Sequence, residues 1–199
     1  MDDRERTIAT YDHSAFELSE YFATREGHGE DIRRIFEQLD QNPRVLEIGC
    51  GSGREAAMLL ELTSHYQGFD ISQGMIEEAR KRLPNADFEV ADLATYQYPK
   101  DLDVVFSFAS ILHSDRDEAS QLFRDVHEAL KEDGYFHIAT KISDGYERVI
   151  KDDQFGYRVF YHYSPELLKE LASGRFIVDY QRFDRFGDTD WVSITFKKV

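Results

Sequence analysis

Residues 45–70 leave this chain few architectures. Val45-Leu46-Glu47-Ile48 is a short apolar run that leads straight into Gly49-Cys50-Gly51-Ser52-Gly53. Arg54 to Leu62 then sets Ala56, Ala57, Leu59 and Leu60 at helical spacing, and a second strand-like run from His65 to Ile71 follows, with Asp70 at its end. A strand, a glycine turn, a helix and another strand make a β-α-β unit. Parallel neighbours require such a crossover, and helical crossovers cover the faces of the sheet they connect.

The alternation continues. Ser72 is placed to cap a helix carrying Met75, Ile76, Ala79 and Leu83, which Pro84-Asn85 closes before a third strand from Asp87 to Val90. Asp103-Val104-Val105-Phe106-Ser107-Phe108 reads as a strand buried on both faces. A helix with Leu122, Phe123, Val126 and Leu130 on one side then begins at Ser114 or Asp115, and Asp133-Gly134 is expected to end it. A fifth strand runs from Tyr135 to Thr140, and Ser164-Pro165 opens a last helix through Leu171. Arg175 to Arg185 and Asp190 to Lys197 read as an antiparallel hairpin joined by Phe186-Gly187-Asp188-Thr189. The expected fold class is α/β, doubly wound, on a mainly parallel sheet with an antiparallel C-terminal hairpin.

No repeat, low-complexity tract or flexible linker divides the chain, so a single domain over 1–199 is expected. Two segments stand outside the alternation. Residues 1–41 read as an N-terminal helical cap in two pieces broken at Gly27-His28-Gly29, and 142–163 as an insertion over the active site. In open α/β sheets ligands sit beyond the carboxyl ends of the strands, where such segments form a lid.

Charge restricts the partners. The chain has 39 acidic and 24 basic side chains, a net −15. Such a molecule repels phosphate backbones and anionic lipid, which argues against nucleic acid or a membrane as partner and favours a neutral or cationic small molecule. No apolar run approaches the roughly 20 residues that cross a bilayer. The one cysteine, Cys50, has no partner in the chain for a disulfide, and MDDRERT has no apolar core of a secretory signal, so a cytoplasmic protein is expected. The seven histidines show no metal-ligand spacing, and no metal is expected.

Glycines at 49, 51 and 53 permit positive φ and close approach of backbone to ligand, and the following helix points its free N–H groups at that ligand. Asp70 stands 19 residues after Gly51, where a strand-end carboxylate accepts hydrogen bonds from ribose hydroxyls. Asp92, after the third strand, adds an acceptor suited to an exocyclic amine. The dinucleotide fingerprint requires a small residue where Arg54 stands, which counts against NAD.

At this point the chain resembles the class I S-adenosylmethionine-dependent methyltransferases of the small-molecule type. Their first motif, E/D-x-G-x-G-x-G, appears as Glu47 through Gly53. Gly68-Phe69-Asp70-Ile71-Ser72 with Met75, Ala91-Asp92-Leu93, Asp103 to His113, and Phe123 to Phe136 resemble the later motifs in order. Glu132-Asp133 replaces the family's usual Pro-Gly in the last of these. The resemblance implies a seven-stranded sheet and S-adenosylmethionine as cofactor. Gly49, Gly51 and Gly53 would approach its methionine part, with Glu47 near the amino group and Arg54 at the carboxylate. Asp70 would take the ribose hydroxyls, Ile71 and Met75 the adenine face, and Asp92 the adenine amine with Leu93 beside it. Phe108 would contact the methionine moiety through its backbone, and Tyr11 would belong to a flap over the cofactor.

On the substrate side, His113 follows the fourth strand, where a general base or a hydrogen bond to the methyl acceptor is expected. His13, Tyr146, Tyr157 and Tyr161 are the expected acceptor contacts, drawn from the flap and from the aromatic-rich insertion. Two other readings fit the glycine loop: a protein that holds S-adenosylmethionine for regulation or as a partner subunit without transferring it, and an NAD-linked oxidoreductase.

Overall fold

The computed structural model describes residues 1–25 and 27–199. Strand β1 (Arg44–Ile48) is flanked by β2 (His65–Asp70) on one side and β4 (Leu102–Phe108) on the other, both parallel to it. β3 (Phe88–Val90) extends the sheet beyond β2, and β5 (Leu130–Lys141) extends it beyond β4. The hairpin of β8 (Phe176–Phe186) and β9 (Thr189–Lys198) completes the sheet, with β9 antiparallel to β5. The order is β3-β2-β1-β4-β5-β9-β8, seven strands in all.

Neighbouring residues of the inner strands face opposite sides, so both faces must be apolar and both must be covered. Leu46, Val105, Phe136 and Phe196 join one core, closed by α6 (Arg116–Ala129) and α7 (Pro165–Ala172). Val45, Val104 and Phe106 join the other, under α3 (Gly29–Phe36), α4 (Arg54–Leu62) and α5 (Gln73–Arg82). Phe123 and Phe136 are fully buried, and each such side chain contributes about 1.5–3 kcal/mol by leaving water.

Local signals set most boundaries. Ser72 Oγ accepts from Met75 N–H at the start of α5, and Ser164 Oγ from Leu167 N–H at the start of α7. Of the two expected starts for α6, Asp115 is the cap: its carboxylate takes the N–H groups of Asp117 and Glu118, and Glu118 returns a bond to Asp115 N–H.

Three features differ from the sequence expectation. The N-terminal helical stretch is broken once more, at Ser14, giving α1 (Asp3–His13) and α2 (Ala15–Ala23). Ser14 Oγ is drawn into a bond with Phe155 O at 2.9 Å, a partner far away in sequence. Second, α6 ends at Ala129 rather than at Asp133-Gly134. Those two residues sit inside β5 where its register with β4 shifts, and Asp133 takes the left-handed conformation at φ 63°, which Asp tolerates better than most side chains. Third, the 142–163 segment is itself a sheet: β6 (Tyr146–Asp153) pairs antiparallel with β7 (Gly156–Tyr163).

Asp115→Ala is expected to cost about 1 kcal/mol of folding free energy, read as a lower urea midpoint with an unchanged slope.

Candidate active site

The chain leaves β1 toward β2 and β3, and later returns to lay β4 and β5 on β1's other side. The loops after β1 and β4 therefore diverge, opening a crevice at the carboxyl end of the sheet. Its walls nearly touch at the base: a Cβ on Gly49 would lie 2.3 Å from Ser110 Oγ, so only glycine fits there. Gly51 is the opposite case. Its φ is +53° and an added Cβ would meet nothing within 4 Å, leaving its backbone open to a ligand.

Asp70 ties this loop to the next. One carboxylate oxygen accepts from Gly51 N–H at 2.9 Å and the other from Ser72 N–H at 2.9 Å. Desolvation pushes its pKa up against the pull of these backbone donors. An ionised carboxylate offers about four acceptor positions, so capacity remains for further donors. Glu47 is buried and, among the described residues, has one partner, the Tyr66 hydroxyl at 2.6 Å. Burial, with Glu55 nearby, pushes its pKa up to about 8, so it is mainly a neutral acid at pH 7. Cys50 is buried and its thiol is pushed well up by desolvation, an environment without nucleophilic use.

The remaining residues expected at a cofactor are placed as follows. Arg54 is engaged with its neighbour Glu55 at 2.5 Å and with Phe22 O at 3.2 Å, tying it to the last turn of α2. Met75 is buried against Ala15 and Leu18, while Ile71 is half-buried at the end of β2. Asp92 Oδ1 takes Arg4 at 2.6 Å and Ala94 N–H at 3.0 Å. Leu93 packs on the core and Phe108 is buried, its ring stacked on His28 at 4.7 Å.

Helix α1 lies across the crevice. Arg4 reaches Asp92, Asp12 accepts from Ser72 Oγ at 2.7 Å and Gly74 N–H at 3.0 Å, and Tyr11 meets His113. His113 ends a short 3-10 turn, Ile111–His113, after β4. Its Nδ1 lies 2.9 Å from Val159 O. A carbonyl only accepts, so Nδ1 carries the hydrogen and Nε2 accepts from the Tyr11 hydroxyl at 3.0 Å. Desolvation takes the imidazole pKa down to about 4 and the Tyr11 phenol up to about 12. The pair is thus a neutral phenol and a neutral imidazole throughout the physiological range.

Of the expected acceptor contacts, the structure gathers none at His113. His13 is exposed and lines a groove with Tyr21 and Phe155. Tyr157 donates to Asp3 at 2.7 Å under the Arg6 guanidinium, and Tyr161 stacks on Tyr146 at 5.9 Å. Strand side chains alternate, and the intervening residues of β7 turn the other way: Phe160 lies 4.9 Å from the His113 ring, with Arg158 beside it. The aromatic density of the segment was readable, but which set faced inward was not, because alternation gives a strand's period without saying which face meets the rest of the fold. Arg4, Asp12 and Lys141 were missed for a simpler reason: each acts on a partner distant in sequence.

A family model described as a methyltransferase domain matches residues 45–134. The trans-aconitate 2-methyltransferase of Variovorax paradoxus is 36% identical over 77 residues, covering 37% of this chain and 29% of that protein. The phosphoethanolamine N-methyltransferase of Plasmodium falciparum is 28% identical over 123 residues, covering 59% and 46%. The chain spans less than half the length of these curated relatives. Among solved structures, a Burkholderia thailandensis 1,6-didemethyltoxoflavin-N1-methyltransferase with bound S-adenosylhomocysteine superposes with a TM-score of 0.73 at 18% identity, covering 98% of this chain and 87% of that one. A methyltransferase from Clostridium acetobutylicum gives 0.73 at 16%, covering 92% and 98%. At such identities the likeness is one of fold.

The His113 geometry sets an acid limit on stability. The free imidazole takes its proton near 6.5 and the folded one near 4, so the unfolded chain binds that proton first as pH falls. The contribution of neutral His113 is complete above about 6.5 and is lost between there and about 4. An NMR titration is expected to show the His113 ring still neutral at pH 5.5; protonation near 6.5 would contradict the enclosed geometry.

Proposed function

We propose that this chain, which belongs over residues 45–134 to the class I S-adenosylmethionine-dependent methyltransferases, binds that cofactor in the crevice and transfers its methyl group to a small-molecule acceptor. The observation that carries the reading is Asp70: one carboxylate fastens the glycine loop to the start of α5 and keeps acceptor capacity at the end of β2. The residues around it fit the cofactor's chemistry. Gly51 leaves an open cradle, and the under-bonded Glu47 suits an ammonium group. Asp70 takes the ribose hydroxyls, and Asp92 keeps Oδ2 for an exocyclic amine while Oδ1 holds Arg4. Gly49 and Gly53 shape the loop, Ile71 meets the base edge, and Phe108 lines the inner wall. Met75 acts from beneath, supporting α2.

When bound, S-adenosylmethionine supplies a methyl group on a sulfonium, an electrophile that needs no acid. The chain's work is then to orient and to exclude water. Holding two reactants in line contributes on the order of 7–11 kcal/mol to lowering a bimolecular barrier. α1 closes the crevice through Arg4, Tyr11 and Asp12. Where the acceptor carries a proton, its O–H or N–H donates to the Tyr11 oxygen, which passes its own hydrogen to His113 Nε2. A positioned base of this kind contributes roughly 10²–10⁴-fold. The relatives named for trans-aconitate and phosphoethanolamine support an acceptor of small size.

Calorimetric titration is expected to show binding of S-adenosylmethionine and S-adenosylhomocysteine but not NAD; binding of NAD alone would overturn the reading. Asp70→Ala is expected to weaken cofactor affinity about 10- to 100-fold, through loss of charge-assisted bonds of roughly 1.5–3 kcal/mol. An ammonium beside Glu47 favours its ionised form. Binding at pH 7 is therefore expected to release a proton, making the observed enthalpy depend on the buffer's ionisation heat. Glu47→Gln removes that dependence if Glu47 is its source.

A further inference from the structure

The acidic chain gathers cations in one enclosed place, around the ring of Phe160. Lys141, the last residue of β5, sets its ammonium 4.5 Å from the centre of that ring and 5.9 Å from the centre of Trp191. Among the described residues it has no carboxylate within ion-pair distance. Arg158 is 4% exposed, with its guanidinium 5.8 Å from the same ring. Its Nη2 grips both oxygens of Asp153 at 2.7 and 2.6 Å. Its Nε is buried with no acceptor among the described residues. His113 also borders Phe160, with its ring centre 4.9 Å away, and is neutral.

Among the described residues the charges around Lys141 do not balance. Lys151, Arg158 and Arg25 act on Lys141, and Asp153 is the acid that opposes them there. Desolvation and these like charges pull the Lys141 pKa down to about 8, which leaves it mostly a cation at neutral pH. A desolvated cation and an orphaned guanidinium N–H each cost free energy unless an anion meets them. Aromatic faces compensate an ammonium only in part.

We propose that this cluster holds the carboxylate of the methyl acceptor, its oxygens taken by Lys141 Nζ and Arg158 Nε. The acceptor is then a small carboxylic acid, whose body lies against Phe160 and Trp191 beside the Tyr11–His113 pair. This rests on the methyltransferase reading and reverses the expectation drawn from net charge. The charge that matters to a ligand is the local one, and the excess of acid lies elsewhere.

The test uses the whole chain and two variants, Lys141→Met and Lys141→Arg, each first titrated with S-adenosylhomocysteine. Failure of the parent protein to bind it sinks the methyltransferase reading itself. The saturated proteins are then titrated with benzoate, succinate, benzamide and inorganic phosphate at fixed ionic strength. The expected result is binding of benzoate or succinate and none of benzamide. Lys141→Met should weaken the carboxylate about tenfold or more, Lys141→Arg should retain most of it, and S-adenosylhomocysteine affinity should be unchanged in both. With S-adenosylhomocysteine bound, any of four results overturns the proposal: no carboxylate binding, benzamide as tight as benzoate, phosphate alone, or a Lys141→Met variant that loses nothing.

Discussion

Four parallel pairings, β3 on β2, β2 on β1, β1 on β4 and β4 on β5, carry the rest of this structure. Parallel strands cannot be joined by a tight turn, so each must be followed by a crossover, and all these strands finish at the same edge. That edge collects every strand-end loop: the glycines after β1, Asp70 after β2, Asp92 after β3 and His113 after β4. Because β1 sits between strands reached in opposite directions, two of those loops part company there. The crevice is a consequence of strand order, and the carboxylates around it fall where strands stop.

What closes the crevice is polar as well as apolar: beside the packing of Met75 on Ala15 and Leu18, backbone and hydroxyl groups pair. Strand β7 pairs with β6 along one side, and on the other Ile142 bridges to Tyr163 at its end, leaving a row of backbone groups before that bridge that must find partners. Helix α1 supplies them from one face: Thr7 Oγ1 accepts from Val159 N–H at 3.0 Å, and Thr10 Oγ1 donates to Tyr157 O at 2.7 Å. Ser14, just past the helix end, donates to Phe155 O. Three hydroxyls at helical spacing thus stand in for a missing strand. The N-terminal helix and the inserted hairpin, far apart in sequence, become one surface over the strand ends, and the Tyr11–His113 bond joins that surface to the sheet.

The environment of each titratable group follows from this enclosure. Glu47 is pushed up and His113 down by the same loss of water, so both stand neutral at pH 7 within an acidic molecule. Lys141 keeps its charge beside aromatic faces. A neutral acid facing the loop, a neutral base under the cap and a cation without a carboxylate partner among the described residues are chemically distinct environments, although no single residue type distinguishes them in the sequence.

The sequence by itself determined what depends on nearby residues: the β-α-β alternation, the glycine loop, Asp70 and Asp92 at strand ends, the serine and aspartate caps and the terminal hairpin. Each rests on periodicity or turn chemistry within a short stretch, where φ, ψ and local hydrogen bonding already decide. The tertiary structure decided the phase of β7, which turns Arg158 and Phe160 inward and Tyr157 and Tyr161 away, and it broke the first helix at Ser14 for a bond to Phe155. It also spent Arg54 on Glu55 and Phe22, and it placed Arg4 on Asp92. These choices are made by partners separated by many residues, whose meeting depends on how the layers pack, and a strand's side-chain period of two gives the sequence no means of telling one face from the other.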